Sequence, residues 1–159
     1  MTPGLTRSLT AAERTALSAG LWDALMAAGA FPRIVAASSP LARLSHLWRG
    51  HTPVLTLGDR IFWGRAPDDC SGQPAAMALL QHELQHVLDY ATGRMNWLSY
   101  ALHPNDWTYA VPETGWDWSE LGAEQRAVLA ERLWRAERRG AGEEVARLRA
   151  VLPWARAAA

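Results

Sequence analysis

The chain has one cysteine, Cys70, in 159 residues. No internal disulfide can form, so nothing in the composition points to an oxidising compartment. A lone cysteine in a small polar loop reads as incidental rather than as a ligand. Lysine is absent, and all 16 basic residues are arginine. With the abundance of alanine this looks like a coding bias, so the preference for arginine carries no functional message. An excess of charge is also missing: 16 acidic residues balance the 16 basic ones. That argues against an electrostatic nucleic-acid binder and against a polybasic membrane anchor. No run approaches the roughly 18 apolar residues of a spanning helix. Met1-Thr2-Pro3-Gly4 lacks the charged-then-apolar pattern of a signal peptide. The expectation is a soluble bacterial cytoplasmic protein, with export by a signal-independent route left open. The length suits one domain, residues 1–159, large enough for a real core.

What the chain does have is His82-Glu83-Leu84-Gln85-His86, in the middle of a helix expected from Pro74 to about Thr92. Pro74 suits the first turn, where its missing N–H costs nothing. Gly93 suits the left-handed position that closes a helix. Residues four apart on a helix lie one above the other, so His82 and His86 can present two imidazoles to one metal ion. Glu83 lies roughly 100° round the helix, where it can serve as a general base. This is the HExxH pattern of the zincins. Ala76, Met77, Leu80, Leu84, Val87 and Leu88 share one arc, and both histidines and Asp89 lie on the opposite one. The bland alternative is a pair of solvated or core-capping histidines.

The rest of the chain suits the same layout. Thr10-Ala11-Ala12-Glu13 reads as a capping box opening a helix to about Ala28. Arg33 to Ala37 is a short strand, and Leu41 to Trp48 a short helix or an irregular arm. Val54–Leu57 and Arg60–Trp63 flank Gly58-Asp59 as a hairpin. A stretch rich in Trp and Tyr, without clear period, runs from Arg94 to Asp117. Helices are expected from Ser119 to Arg138 and from Glu143 to Leu152, with a C-terminal tail, 153–159, that frays. The fold expected is α+β and zincin-like: mostly helical, with a small hairpin or sheet packed on the HExxH helix, and a metal core at about 54–135. In that layout a strand preceding the metal helix lies at the sheet edge along the cleft and can pair with an extended peptide. Arg60–Trp63 is the expected edge strand.

A catalytic zinc takes three protein ligands and keeps one open position. A third ligand six residues beyond His86 would be Thr92, which disfavours the metzincin arrangement. Asp89 is on the ligand face, although a short carboxylate so placed often orients an imidazole instead. Glu113, Glu120 and Glu124 are the candidates from later in the chain. Glu124, in Gly122-Ala123-Glu124-Gln125-Arg126-Ala127, is favoured because a carboxylate on a half-apolar, small-residue stripe needs a partner. Its bland reading is a solvated glutamate at the positive end of a helix dipole.

Val54 to Ile61, followed by Ala78-Leu79-Leu80-Gln81-His82-Glu83-Leu84-Gln85-His86-Val87, resembles the zincin-like domain found beside extracellular contractile injection systems and in bacterial toxins. It is most similar to short bacterial proteins labelled Vgr-related, which also carry a Trp/Tyr-rich stretch and a GxEQxA helix start, here at Gly122–Ala127. The resemblance covers roughly Val54 to Ala130. The broader family often has Gln where this chain has Asp89. The resemblance implies a metal site more firmly than a reaction, and a link to secretion spikes.

The chemistry expected is peptide hydrolysis. Zinc would lower the pKa of a bound water to around 7, and Glu83 would take the proton and return it to the leaving amine. An oxyanion donor is also needed. Tyr109 and His103 are the expected catalytic partners, with Tyr100 in the same region; an aromatic packing over the site is the bland alternative for each. Two functions follow: a zinc peptidase acting on a peptide or protein substrate, or a non-catalytic zincin-like accessory module whose partners are secretion-apparatus proteins. Retention of Glu83, which a purely structural zinc site would not need, favours the first.

Overall fold

A computed structural model describes residues 5–37, 54–102 and 107–157. Among the described residues the fold is α+β, with seven helices and a four-stranded mixed sheet. Its strands are β1 (Thr6–Ser8), β2 (Arg33–Val35), β3 (Leu55–Leu57) and β4 (Arg60–Phe62). The helices are α1 (Ala11–Ala16), α2 (Leu21–Ala27), α3 (Pro74–Ala91), α4 (Trp97–Leu102), α5 (Ala123–Arg139), α6 (Gly142–Val151) and α7 (Pro153–Arg156). The segment expected as a helix or arm, Leu41 to Trp48, lies outside the described residues. None of the described helices is long and apolar enough to cross a membrane.

The capping box forms. Thr10 Oγ1 accepts from the Glu13 N–H at 3.0 Å, and Glu13 Oε2 accepts from the Thr10 N–H at 2.8 Å. The helix it opens stops at Ala16, well short of Ala28. Tertiary contacts reward the break. The Trp134 indole donates to the carbonyl of Ala16 at 2.7 Å, and Ser18 Oγ donates to Glu137 Oε2 at 2.7 Å. Gly20, at φ 90°, then turns the chain into α2 with a backbone that other residues adopt only at a cost.

The sheet order is β1-β2-β4-β3. β1 pairs antiparallel with β2, β2 parallel with β4, and β4 antiparallel with β3. The hairpin strands form where expected, but Arg60–Phe62 is an interior strand, not the edge. Its second neighbour, β2, comes from the N-terminal part of the chain, a long-range pairing that local pattern cannot reveal. Among the described residues the edge strand next to α3 is β3.

α3 is the centre of the molecule. It packs chiefly on α5, and also on β3 and α2. From Met77 to Asp89 every residue except Leu79 is buried, so the arc that carries the histidines is covered as well as the apolar one. A helix enclosed all round is normally apolar, whereas this one encloses Gln81, His82, Glu83, Gln85, His86 and Asp89. Each therefore needs a partner. Gln85 Oε1 accepts from the Trp154 indole at 2.8 Å, and Gln85 Nε2 donates to Asp89 at 2.9 Å. Trp154 belongs to α7, a helical turn with Trp154 and Ala155 buried. Fraying from Pro153 onward is thereby corrected: an apolar indole with a buried acceptor ties Pro153–Arg156 to the core. Gly93, at φ 71°, lies just past the end of α3, as expected.

The loop leading into α3 is tied to the N-terminal segment by Glu13, whose side chain is 0% exposed. Arg7 grips it with two nitrogens, both at 2.7 Å, and the Cys70 N–H donates to it at 2.8 Å. Cys70 is buried, and burial together with the nearby Glu13 carboxylate pushes its thiol up to about 12, so it is an inert core residue. Burial opposes charge on Glu13, but the donors from Arg7, Thr10 and Cys70 prevail and lower its pKa below 4.5. Glu13→Ala strands Arg7 and the Cys70 amide. It is expected to cost about 3–5 kcal/mol, read from denaturant unfolding at neutral pH. The contribution is fully present above the unfolded pKa near 4.5 and is lost as pH falls through the lowered folded value. The gap between wild type and variant should therefore narrow in acid. A constant gap from pH 7 to 3 would contradict this account of Glu13.

Candidate metal centre

Three side chains converge at the α3–α5 interface. His82 and His86 come from successive turns of α3, and Glu124 from the first turn of α5. His82 Nε2 is 3.1 Å from Glu124 Oε2, and His86 Nε2 is 3.5 Å from the same oxygen. One donor atom from each lies within 4.8 Å of the others, and all three residues are buried. They lie close enough to hold one metal ion. The imidazole rings meet edge to face, 4.9 Å between centroids, and both Nε2 atoms approach the same Glu124 oxygen. α5 begins at Ala123 rather than Ser119, with Gly122 as its cap. Gln125 Oε1 accepts from the Gly122 N–H at 2.9 Å and fixes that start. Glu124 is thus a helix-start glutamate, as its bland reading holds, but one turned inward onto α3.

The other third-ligand candidates are accounted for. Glu113 and Glu120 are exposed. Asp89 is buried, but its oxygens take Arg126 Nε at 2.8 Å and Gln85 Nε2 at 2.9 Å. Its work is to hold α5 against α3. Arg126 also donates to the Leu121 carbonyl and lies over the Trp118 ring, 5.9 Å from its centroid. Trp118, just beyond the tryptophan-rich stretch, thus packs beside this ion pair.

Sequence reasoning did not single out Glu131. About one turn beyond Ala127 on α5, its Oε2 lies 3.6 Å from His82 Nδ1, an ion-pair distance rather than a hydrogen bond. Arg135 holds its other oxygen, at 2.8 Å from Nε and 2.7 Å from a terminal nitrogen. A carboxylate behind a ligand imidazole favours the tautomer with hydrogen on Nδ1 and the lone pair on Nε2. The available signal was the seven-residue spacing from Glu124, which returns to the same helix face.

The electrostatics suit a cation. Burial disfavours charge on His82, but Glu124, Glu131 and the nearby Glu83 outweigh it and raise its pKa to about 9. Burial likewise opposes ionisation of Glu124. Hydrogen bonds from His82, the charge and contact of His86, and Tyr100 reverse that, holding its carboxyl well below the usual range. The cluster therefore favours positive charge at its centre. His86 Nδ1 is buried without a hydrogen-bond partner among the described residues. Two imidazole nitrogens and one carboxylate oxygen are a donor set for zinc. Of the described residues, these three are the only such cluster.

No family model matches the chain, and no curated protein or solved structure matches it either.

Around the cluster, Glu83 takes a hydrogen bond from Thr56 Oγ1 at 2.7 Å. Tyr100 donates its hydroxyl to Glu124 Oε1 at 2.6 Å. Tyr109 stacks on His82, with ring centroids 6.2 Å apart and planes 14° off parallel, and is half exposed. His103 lies outside the described residues. Of the aromatics considered for catalysis, Tyr100 and Tyr109 therefore reach the cluster: one holds a ligand oxygen, the other covers a ligand ring.

Proposed function

We propose that this chain is a zinc-dependent peptidase of the gluzincin type, with His82, His86 and Glu124 as ligands and Glu83 as general base. The observation that carries the reading is the buried convergence of a carboxylate from α5 on both HExxH histidines. Three protein donors leave a coordination position open, the arrangement of catalytic rather than structural zinc. When bound there, zinc would supply Lewis acidity and a water acidified to around neutrality.

The protein groups then have distinct tasks. Glu83 accepts the water's proton and delivers it to the leaving amine. Glu131 keeps the His82 lone pair on Nε2. Tyr100 holds Glu124 by one oxygen and leaves the other to the histidines. Tyr109 is the oxyanion-side candidate by its position over His82. An extended substrate would lie along β3, which among the described residues pairs only with β4, and whose Thr56 already touches Glu83. On the resemblance to Vgr-related proteins, the setting would be a bacterial secretion apparatus.

The test is hydrolysis of a broad peptide library by zinc-loaded protein. Cleavage should vanish when a chelator removes the metal and return when zinc is restored. Cleavage that persists unchanged in the metal-free protein overturns the reading.

A further inference from the structure

Thr56 does not fit the pattern around it. Leu55-Thr56-Leu57 alternates, and by alternation alone the leucines belong inside. The reverse is found: Thr56 is buried and the two leucines are half-buried. Thr56 stands opposite Ile61, which pairs with Ile34, and both isoleucines are 0% exposed. A hydroxyl thus ends an inward row whose two central members, Ile34 and Ile61, are aliphatic and whose far end is Arg7. Burying it costs free energy unless a partner takes it. The partner is the Glu83 carboxylate, and among the described residues this is the only hydrogen bond the Glu83 side chain makes.

Two features make the contact directional. Thr56 is held on both sides in a paired strand, Leu55 against Phe62 and Leu57 against Arg60. Its β-branched side chain has few rotamers. A glutamate has three torsions and could otherwise wander. A charge-assisted O–H···O bond at 2.7 Å fixes one carboxylate oxygen, and the planar group then fixes the direction of the other.

We propose that Thr56 is a positioning residue for Glu83. Its hydroxyl anchors Oε2, so that Oε1 is held ready for the proton transfer, a role that rests on the peptidase reading above. The inward threonine on an edge strand is the part of the site that reaches it from the sheet rather than from the helices.

Thr56→Val keeps the volume and removes the hydroxyl. In the zinc-loaded full chain it should lower kcat by about 10–100-fold, with KM and bound zinc near wild type. Thr56→Ser should return most of the loss, because it restores the donor. A second readout needs no metal: Thr56→Val, Glu83→Ala and the double variant compared by denaturant unfolding of zinc-free protein. Their effects should fail to add. Thr56→Ala serves in the same comparisons should the valine variant not fold. Additive effects in that cycle, or wild-type kcat in Thr56→Val, overturn the inference. Non-additivity in a wild-type protein that hydrolyses nothing would instead uphold the Thr56–Glu83 link and overturn the peptidase reading.

Discussion

Replacing His86 by alanine is expected to take zinc from about one per chain to trace. The measurement is elemental mass spectrometry on dialysed protein. The remaining pair, His82 and Glu124, would be an open and weak chelate. Glu124→Ala should act in the same direction and far more strongly than Glu113→Ala, since Glu113 is exposed and outside the cluster. Stoichiometric zinc in His86→Ala would end the ligand assignment. The pH dependence follows from His82. A metal ion must displace its proton, and its pKa is raised to about 9 from 6.5. Zinc affinity should therefore climb as pH rises towards 9 and flatten above it. In the zinc-free protein the sign is opposite. A raised folded pKa stabilises the fold fully below 6.5, and that contribution is lost as pH rises through about 9. Chelated and zinc-loaded protein should thus diverge in stability as the solution becomes more alkaline.

Glu83→Gln should retain zinc and the fold while losing hydrolysis. Gln is nearly isosteric with Glu but does not accept a proton at neutral pH. It is a comparable helix former, so α3 should persist. Its carbonyl oxygen can still accept from Thr56, which keeps the contact to β3. Zinc should stay because Glu83 lies outside the ligand cluster. The variant therefore separates chemistry from architecture: circular dichroism and zinc content should match wild type while turnover falls by orders of magnitude, since general-base catalysis alone contributes about 10²–10⁴-fold. Peptide cleavage at wild-type rate in Glu83→Gln would remove Glu83 from the mechanism. A cellular role that survives this change in a protein without measurable hydrolysis would replace the enzyme with a zincin-like binding module.

Local chemistry was legible wherever a residue's task is set by near neighbours. The capping box at Thr10 and Glu13 is such a case, as are the hairpin about Gly58-Asp59 and the span of α3 between Pro74 and Gly93. Each depends on contacts within a few residues; the hairpin and α3 formed close to the expected bounds, and the capping box formed although its helix stops at Ala16. The i, i+4 spacing of His82 and His86 belongs to the same class, because helix geometry alone brings them together. Glu83 stands out for the same reason.

What the sequence alone determined is therefore the helix that carries the two histidines and Glu83, and a short roster of partners for them. Choosing from that roster needed the tertiary structure. Glu124 and Asp89 look alike as buried-side carboxylates, and what separates them is Arg126, which claims Asp89 across the helix interface. Glu131 gains its place only because α5 lies against α3 with His82 between them. The strand order made β3 the edge in place of Arg60–Phe62, since β2 arrives from far away in the chain. Thr56 was hidden by an alternation that points the wrong way until its bond to Glu83 is seen. The physical reason is common to all four. Periodicity reports which side of an element can be covered, but the free energy of a buried polar group depends on the particular atom it meets. That atom is supplied by a segment distant in sequence.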